Sequence, residues 1–86
     1  MKYTVVWGNR AKNRLAAIWT EASDRGDVTR AANAIDQFLA NNADWAGISR
    51  DDVTRVLVAR PLFVVYEILP EDYIVRVLIV GRSDRL

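Results

Sequence analysis

Three apolar runs dominate the second half of the chain: Val53 to Ala59, Leu62 to Leu69 and Tyr73 to Arg82, parted only by Arg60-Pro61 and by Pro70-Glu71-Asp72. Runs so rich in Val, Ile, Leu and aromatics, bounded by Pro and acidic turn residues, predict three strands of an antiparallel meander. Their constraint on the fold lies in the alternation. A strand with one face in water alternates apolar with polar side chains, whereas here odd and even positions are both largely apolar. Such a sheet needs cover on both sides, and the rest of the chain has to supply at least one of the covers.

The preceding residues supply one. Lys2 to Trp7, β-branched and aromatic, read as a first strand closed by Gly8 and Asn9. Asn9 is the expected N-cap of a helix whose apolar stripe is Ala11, Leu15, Ile18, Trp19 and Ala22. Gly26 suits the left-handed position after that helix, and Asp27 the cap of a second one with the stripe Val28, Ala31, Ala32, Ile35, Phe38 and Leu39. From Asn41 to Asp52, with Gly47 and the pair Asp51-Asp52, neither periodicity holds; a loop is expected there, with Trp45 and Ile48 folding back onto the core. The order strand, helix, helix, three-stranded meander gives an α+β fold. A helical hairpin packs on one face of a mainly antiparallel sheet, in one domain over residues 1–86.

A two-residue turn at Arg60-Pro61 and a three-residue turn at Pro70 to Asp72 place Leu57 opposite Val64 and Val64 opposite Leu78. One face then gathers Val56, Val58, Phe63, Val65, Val75, Val77 and Ile79, interrupted by Thr54 and Glu67, and is the expected seat of the helices. The other gathers Leu57, Ala59, Leu62, Val64, Ile68, Ile74, Leu78 and Val80. On it Arg55, Tyr66 and Arg76 form a row across three strands, with Arg82 further along. So many aliphatic residues exceed the apolar patch a monomer usually leaves in water. The second face is therefore expected to bind a partner through Leu57, Val64, Leu78 and Val80. A dedicated protein, a second copy in a homodimer, or the 43–52 loop folded across it all answer the pattern.

Composition narrows the chemistry. The chain has no Cys and no His, which removes disulfides, thiolate nucleophiles, serine triads and the usual zinc ligands, and no cofactor or metal is expected. Twelve basic against eleven acidic residues leave +1, so any nucleic-acid or membrane contact has to be local. No run is long and apolar enough for a membrane helix and none has the shape of a signal peptide, so a cytoplasmic protein is expected.

Ten of the twelve cations are Arg, which favours planar contacts to carboxylate or phosphate. Arg55, Tyr66 and Arg76 in one row, with Arg82 nearby, suit a phosphate chain, with Tyr66 stacking a base or donating a hydrogen bond. The same residues also suit plain sheet packing, with Arg stems lying over apolar surface. Arg10, Lys12 and Arg14 crowd the start of the first helix, where its dipole disfavours cations, and are open to an anion or a partner's acidic side chains. Glu21 and Arg25 read as a favourable pair one helical turn apart, and the acidic pairs Asp51-Asp52 and Glu71-Asp72 as turn residues.

The order and spacing of several segments resemble one known family. An opening strand Tyr3-Thr4-Val5-Val6-Trp7, an Arg/Lys-rich first helix with Leu15-Ala16-Ala17-Ile18-Trp19, and the strands Arg55-Val56-Leu57, Val64-Val65-Tyr66-Glu67-Ile68 and Val75 to Arg82 are similar to the RelE/ParE toxins of type II toxin–antitoxin modules. The resemblance covers nearly the whole chain. It implies a compact toxin, of the kind also described as plasmid stabilisation proteins, neutralised by a cognate antitoxin that wraps it. Its target would be messenger RNA on the ribosome, cut by an mRNA interferase, or DNA gyrase, poisoned by a gyrase inhibitor; a non-toxic binding domain is the third outcome. Under the ribonuclease reading Arg55 and Arg82 match basic positions of the family, with Tyr66 and Arg76 completing the candidate catalytic set. Phe63 and Leu57, however, stand where that set has further basic residues. Fewer cations mean less stabilisation of charge as the 2′-hydroxyl attacks phosphorus.

Overall fold

A computed structural model describes residues 2–42, 48–49 and 54–85. The expectations for Trp45, Asp51 and Asp52 lie outside the described residues. Strand β1 (Thr4–Trp7) leads into helix α1 (Asn9–Glu21), then α2 (Arg25–Asn42), a two-residue strand β2 (Ile48–Ser49), and the meander β3 (Thr54–Ala59), β4 (Leu62–Leu69) and β5 (Ile74–Arg82), closed by a 3₁₀ turn at Ser83–Arg85. The sheet order is β1-β5-β4-β3-β2. β1 runs parallel to β5 and the remaining pairs are antiparallel. The α+β architecture of a helix pair on one face of a mainly antiparallel sheet is thus the observed one. No described helix is long and apolar enough to cross a membrane.

Helix boundaries differ from those expected. Gly8, not Asn9, occupies the N-cap of α1 and gives no side-chain cap, and Ala22 ends the helix in an extended conformation. Gly26 lies inside α2, whose first bond runs from the Val28 N–H to the Asp24 carbonyl at 3.1 Å. The connection is therefore Ala22-Ser23-Asp24, with Asp24 rather than Asp27 at the cap position. α2 also continues through Asn41 and Asn42. Its buried residues Val28, Ala31, Ile35 and Leu39 step by three, four and four, the spacing of a single helical face, while Phe38 turns outward.

The two-residue connection at Arg60-Pro61 sets Ala59 opposite Leu62 and Leu57 opposite Val64, as the turn arithmetic requires. Beyond β4 the register departs from expectation. The β4–β5 turn holds four residues, Pro70 to Tyr73, so that Leu69 pairs with Ile74 and Glu67 with Arg76. A bulge then follows: Tyr66 pairs with Val77 but Val65 with Ile79, leaving Leu78 as the extra residue, and Val64 meets Val80. One additional turn residue exchanges the faces of Val75, Arg76 and Val77, and the bulge restores the alternation beyond it.

On β3 and β4 the covered face is the opposite of the expected one, whereas Val75 and Val77, expected under the helices, do lie there. Leu57, Ala59, Leu62, Val64, Tyr66 and Ile68 lie under the helices with Val75, Val77 and Val80, and together with Ala11, Ile18 and the α2 stripe they form the core. Leu57, Val64 and Val80, expected to receive a partner, are core residues, and Leu78 stands in the bulge. The outer face instead carries Val58 and Ile79, both exposed, beside Val56, Phe63 and Val65. There Phe63 lies across from Gly81, where a β-carbon would come within 2.5 Å of its ring, so the glycine makes room for an aromatic cover on the sheet.

Candidate functional site

The four residues expected to act on a phosphate do not converge. Tyr66 is fully buried beneath the helices, where it packs the core and has no access to a nucleic acid base. Arg55 is half-buried beside it on the same face. Arg76 is displaced by the longer turn to the outer face, where its Nη1 donates to Glu67 Oε1 at 2.9 Å. The face exchange therefore breaks the row of Arg55, Tyr66 and Arg76.

Arg82 ends β5 with a side chain only 14% exposed. Its Nη1 and Nη2 donate to the two carboxylate oxygens of Asp24 at 2.9 and 2.8 Å, a parallel fork from the end of the sheet to the α1–α2 connection. Nε and Nη2 also reach Asp84 at 3.1 and 3.2 Å. The Arg82 hydrogen bond holds the Asp24 carboxyl below its usual range, against a smaller opposing effect of burial, and the Asp24 and Asp84 bonds raise the guanidinium further. A carboxylate depressed in the folded state stabilises above its ordinary value of 3.8 and loses that contribution as the pH falls through the folded value. Acid should accordingly open this clasp. The melting-temperature difference between wild type and Asp24→Asn should be largest near about pH 7 and shrink toward about pH 3; a pH-independent difference would show that the carboxylate charge is not what holds Arg82.

A second feature was not legible as a site. α1 packs chiefly on β5, while α2 spreads its contacts over β3, β1, β4 and α1. Between them runs a groove of about 730 Å³, floored by Val5 and Trp7 and walled by Leu15, Ala16, Trp19 and Ala32. Ala16 and Ala32 leave the space that longer side chains would close. The indole Nε1 of Trp7 donates to Asp36 Oδ1 at 2.6 Å, and that of Trp19 to Thr29 Oγ1 at 3.2 Å. With both N–H groups satisfied, the rings offer their apolar surfaces to the groove. Lys12 and Asp36 add one charge of each sign to its lining.

Arg25 holds the Trp19 wall in place. Its guanidinium lies 4.8 Å from the ring centroid and donates to the carbonyls of Trp19 and Thr20, capping the end of α1 from the start of α2. That placement replaces the expected pairing of Arg25 with Glu21 along one helix, because the chain turns at Ala22 between them. The apolar stripes that hold Leu15 and Trp19 in α1 and Ala32 in α2 signal burial in sequence; that part of them lines a groove instead follows from how the two helices pack.

No family model and no curated protein matches the sequence. Solved structures do match the fold. Over 96% of this chain and 93% of the other, the structure superimposes with a TM-score of 0.75 and 17% identity on a chain of the RelBE2 toxin–antitoxin complex from Mycobacterium tuberculosis. A chain of the chromosomal ParDE system from P. aeruginosa matches with a TM-score of 0.69 and 19% identity, over 94% of this chain and 96% of that one. The chain has the RelE/ParE toxin fold. The isolated E. coli RelE toxin shares it as well, with a TM-score of 0.61 and 16% identity over 98% of this chain and 87% of that one. Within the RelE/ParE fold, the described residues of this chain form the groove and the Arg82 clasp, each with named partners for its polar groups.

Proposed function

We propose that this protein is the toxin half of a toxin–antitoxin pair, held inactive by an antitoxin segment lying in the α1–α2–β1 groove, and that it acts by binding its target. The observation that carries the reading is the groove itself, an apolar channel with prearranged indole walls on a fold whose compared structures include toxin–antitoxin complexes. A matching segment presents apolar side chains to Trp7, Leu15 and Trp19, an acidic group to Lys12 and a donor to the second Asp36 oxygen. β1 is an edge strand of the sheet, so an extended continuation of that segment has an edge to pair with.

Binding is favoured over RNA cleavage by the state of the proposed catalytic residues. Tyr66 is buried, Arg76 pairs with Glu67 on the other face, and Arg82 is engaged by two carboxylates, so little remains to stabilise a developing negative charge. Gyrase poisoning is then the favoured action. Expression of the chain alone should arrest growth, and co-expression with the product of the neighbouring reading frame should relieve the arrest. Arrested cells should accumulate cleaved DNA bound to gyrase and mount an SOS response with their messenger RNA intact. Messenger RNA fragments that disappear in Arg55→Ala would overturn the binding mode, and normal growth at high expression would overturn the toxin role.

A further inference from the structure

The clasp and the groove meet in two consecutive residues: Asp24 receives the Arg82 fork, and Arg25, next in the chain, braces the Trp19 wall. Arg82 is a fixed point in this arrangement. It ends β5, the Ser83 N–H that follows donates to the Pro61 carbonyl at 2.8 Å, and Asp84 steadies the guanidinium from a second side. Asp24 is held at both ends, its carboxylate by Arg82 and its carbonyl by the Val28 N–H in the first turn of α2. The bonds that orient Trp19 come from the residues just beyond. Arg25 Nε donates to the Trp19 carbonyl at 3.0 Å, its guanidinium lies 4.8 Å from the ring centroid, and the indole Nε1 donates to Thr29 Oγ1 at 3.2 Å. Arg25 and Thr29 are four residues apart and share one side of α2. The Trp19 wall thus rides on the turn of α2 that the clasp ties to the end of the sheet, although neither Asp24 nor Arg82 lines the groove.

We propose that Arg82 is a positioning residue for the groove: by fixing Asp24 it sets Arg25 and Thr29, and through them the Trp19 ring, where a docked segment meets it. The inference deepens the groove reading and rests on it for what docks; the coupling rests on the bonds alone. Bonds that run without a break from Arg82 to the indole are a physical route for such coupling, and a ring ordered in advance loses little freedom on docking. The competing account is that the core residues Val28 and Ala31 hold the start of α2 unaided, in which case the clasp adds stability and nothing more.

The test reads the indole N–H groups of the full-length protein by NMR, with Trp19→Phe assigning the Trp19 signal. Arg82→Gln and Asp24→Asn should each shift the Trp19 Nε1–H resonance and speed its hydrogen exchange by about tenfold, while Trp7 Nε1–H, bonded to Asp36 farther along α2, keeps its rate. Asn retains the capping role at position 24, so the second variant removes the charge and keeps the start of the helix. Arg76→Gln, which breaks an ion pair on the same strand, should leave both signals in place. Equal acceleration at Trp7 and Trp19 would mark a general loss of stability, and an unmoved Trp19 would show that the core suffices; either overturns the proposal. Binding supplies a second arm. The affinity for the product of the neighbouring reading frame should fall by about tenfold in Arg82→Gln, and by nothing further when Arg82→Gln is added to Trp19→Ala, because a residue that acts through another is not additive with it. Additive losses would refute positioning through Trp19. A wild type that fails to bind that product while its Trp19 signal responds as stated would overturn the docking reading and uphold the coupling.

Discussion

Val64→Asp should leave the protein unfolded. Val64 has no solvent exposure and packs in the core between sheet and helices. A carboxylate buried there among core side chains is expected to cost several kcal/mol, against a total stability of about 5–15 kcal/mol for a domain of this kind. Val58→Asp makes the same chemical change on the same hairpin, but Val58 is 51% exposed on the outer face, where about 1 kcal/mol of lost strand propensity is expected. Urea titrations followed by circular dichroism distinguish the two. The comparison bears directly on the sheet, because under the register expected from turn lengths Val64 faced a partner and Val58 the helices. Were Val58→Asp the variant that unfolds, the helices would sit on the other face.

On the proposed docking, replacing Trp19 by Ala should weaken antitoxin binding by about 30-fold or more, corresponding to about 2 kcal/mol, whereas Phe38→Ala should change it little. The pair is informative because the two side chains are almost equally exposed, at 44% and 46%. Exposure therefore cannot separate them, but position does: Trp19 forms a wall of the groove, and Phe38 points outward from α2 beyond it. Trp19 is also already immobilised by Thr29 and Arg25, so docking against it requires little further ordering of the ring. Isothermal titration with the cognate antitoxin, alongside thermal melts to show that both variants remain folded, measures the difference. Equal losses from the two substitutions would count against the groove as the docking surface.

Much of the fold was written in local pattern. The strand-rich end, the two helical stripes and the tight Arg60-Pro61 connection all follow from side-chain periodicity and turn chemistry, and each appears in the structure. Faces were harder because both sides of the sheet are apolar, which deprives alternation of its usual contrast. Thr54 and Glu67 were the available signal, since a face that carries a carboxylate is the better candidate for solvent, and both belong to the outer side. The four-residue turn and the bulge at Leu78 left no mark that spacing alone reveals. The site was less legible still. Arg82 was singled out by its place near the end of β5, but its partner Asp24 lies far away in sequence, in a connection that local reading assigned one helix cap too late. The groove depends on the separation between two helices, a property of packing that no single stripe encodes.

The parallel pairing of β1 with β5 also bears on when the protein can become functional during its synthesis. Residues 4–7 emerge well before residues 74–77, which are their sheet neighbours. Until those have left the ribosome, the first strand has no place in the sheet and the groove has no floor. This pairing of an edge strand is thus deferred until β5 has been made, and the long loop that it closes favours slow folding. Until β5 is available the chain lacks the groove in which the proposed antitoxin segment lies. Under the proposed reading, neutralisation therefore needs β5 in place before the groove can be recognised.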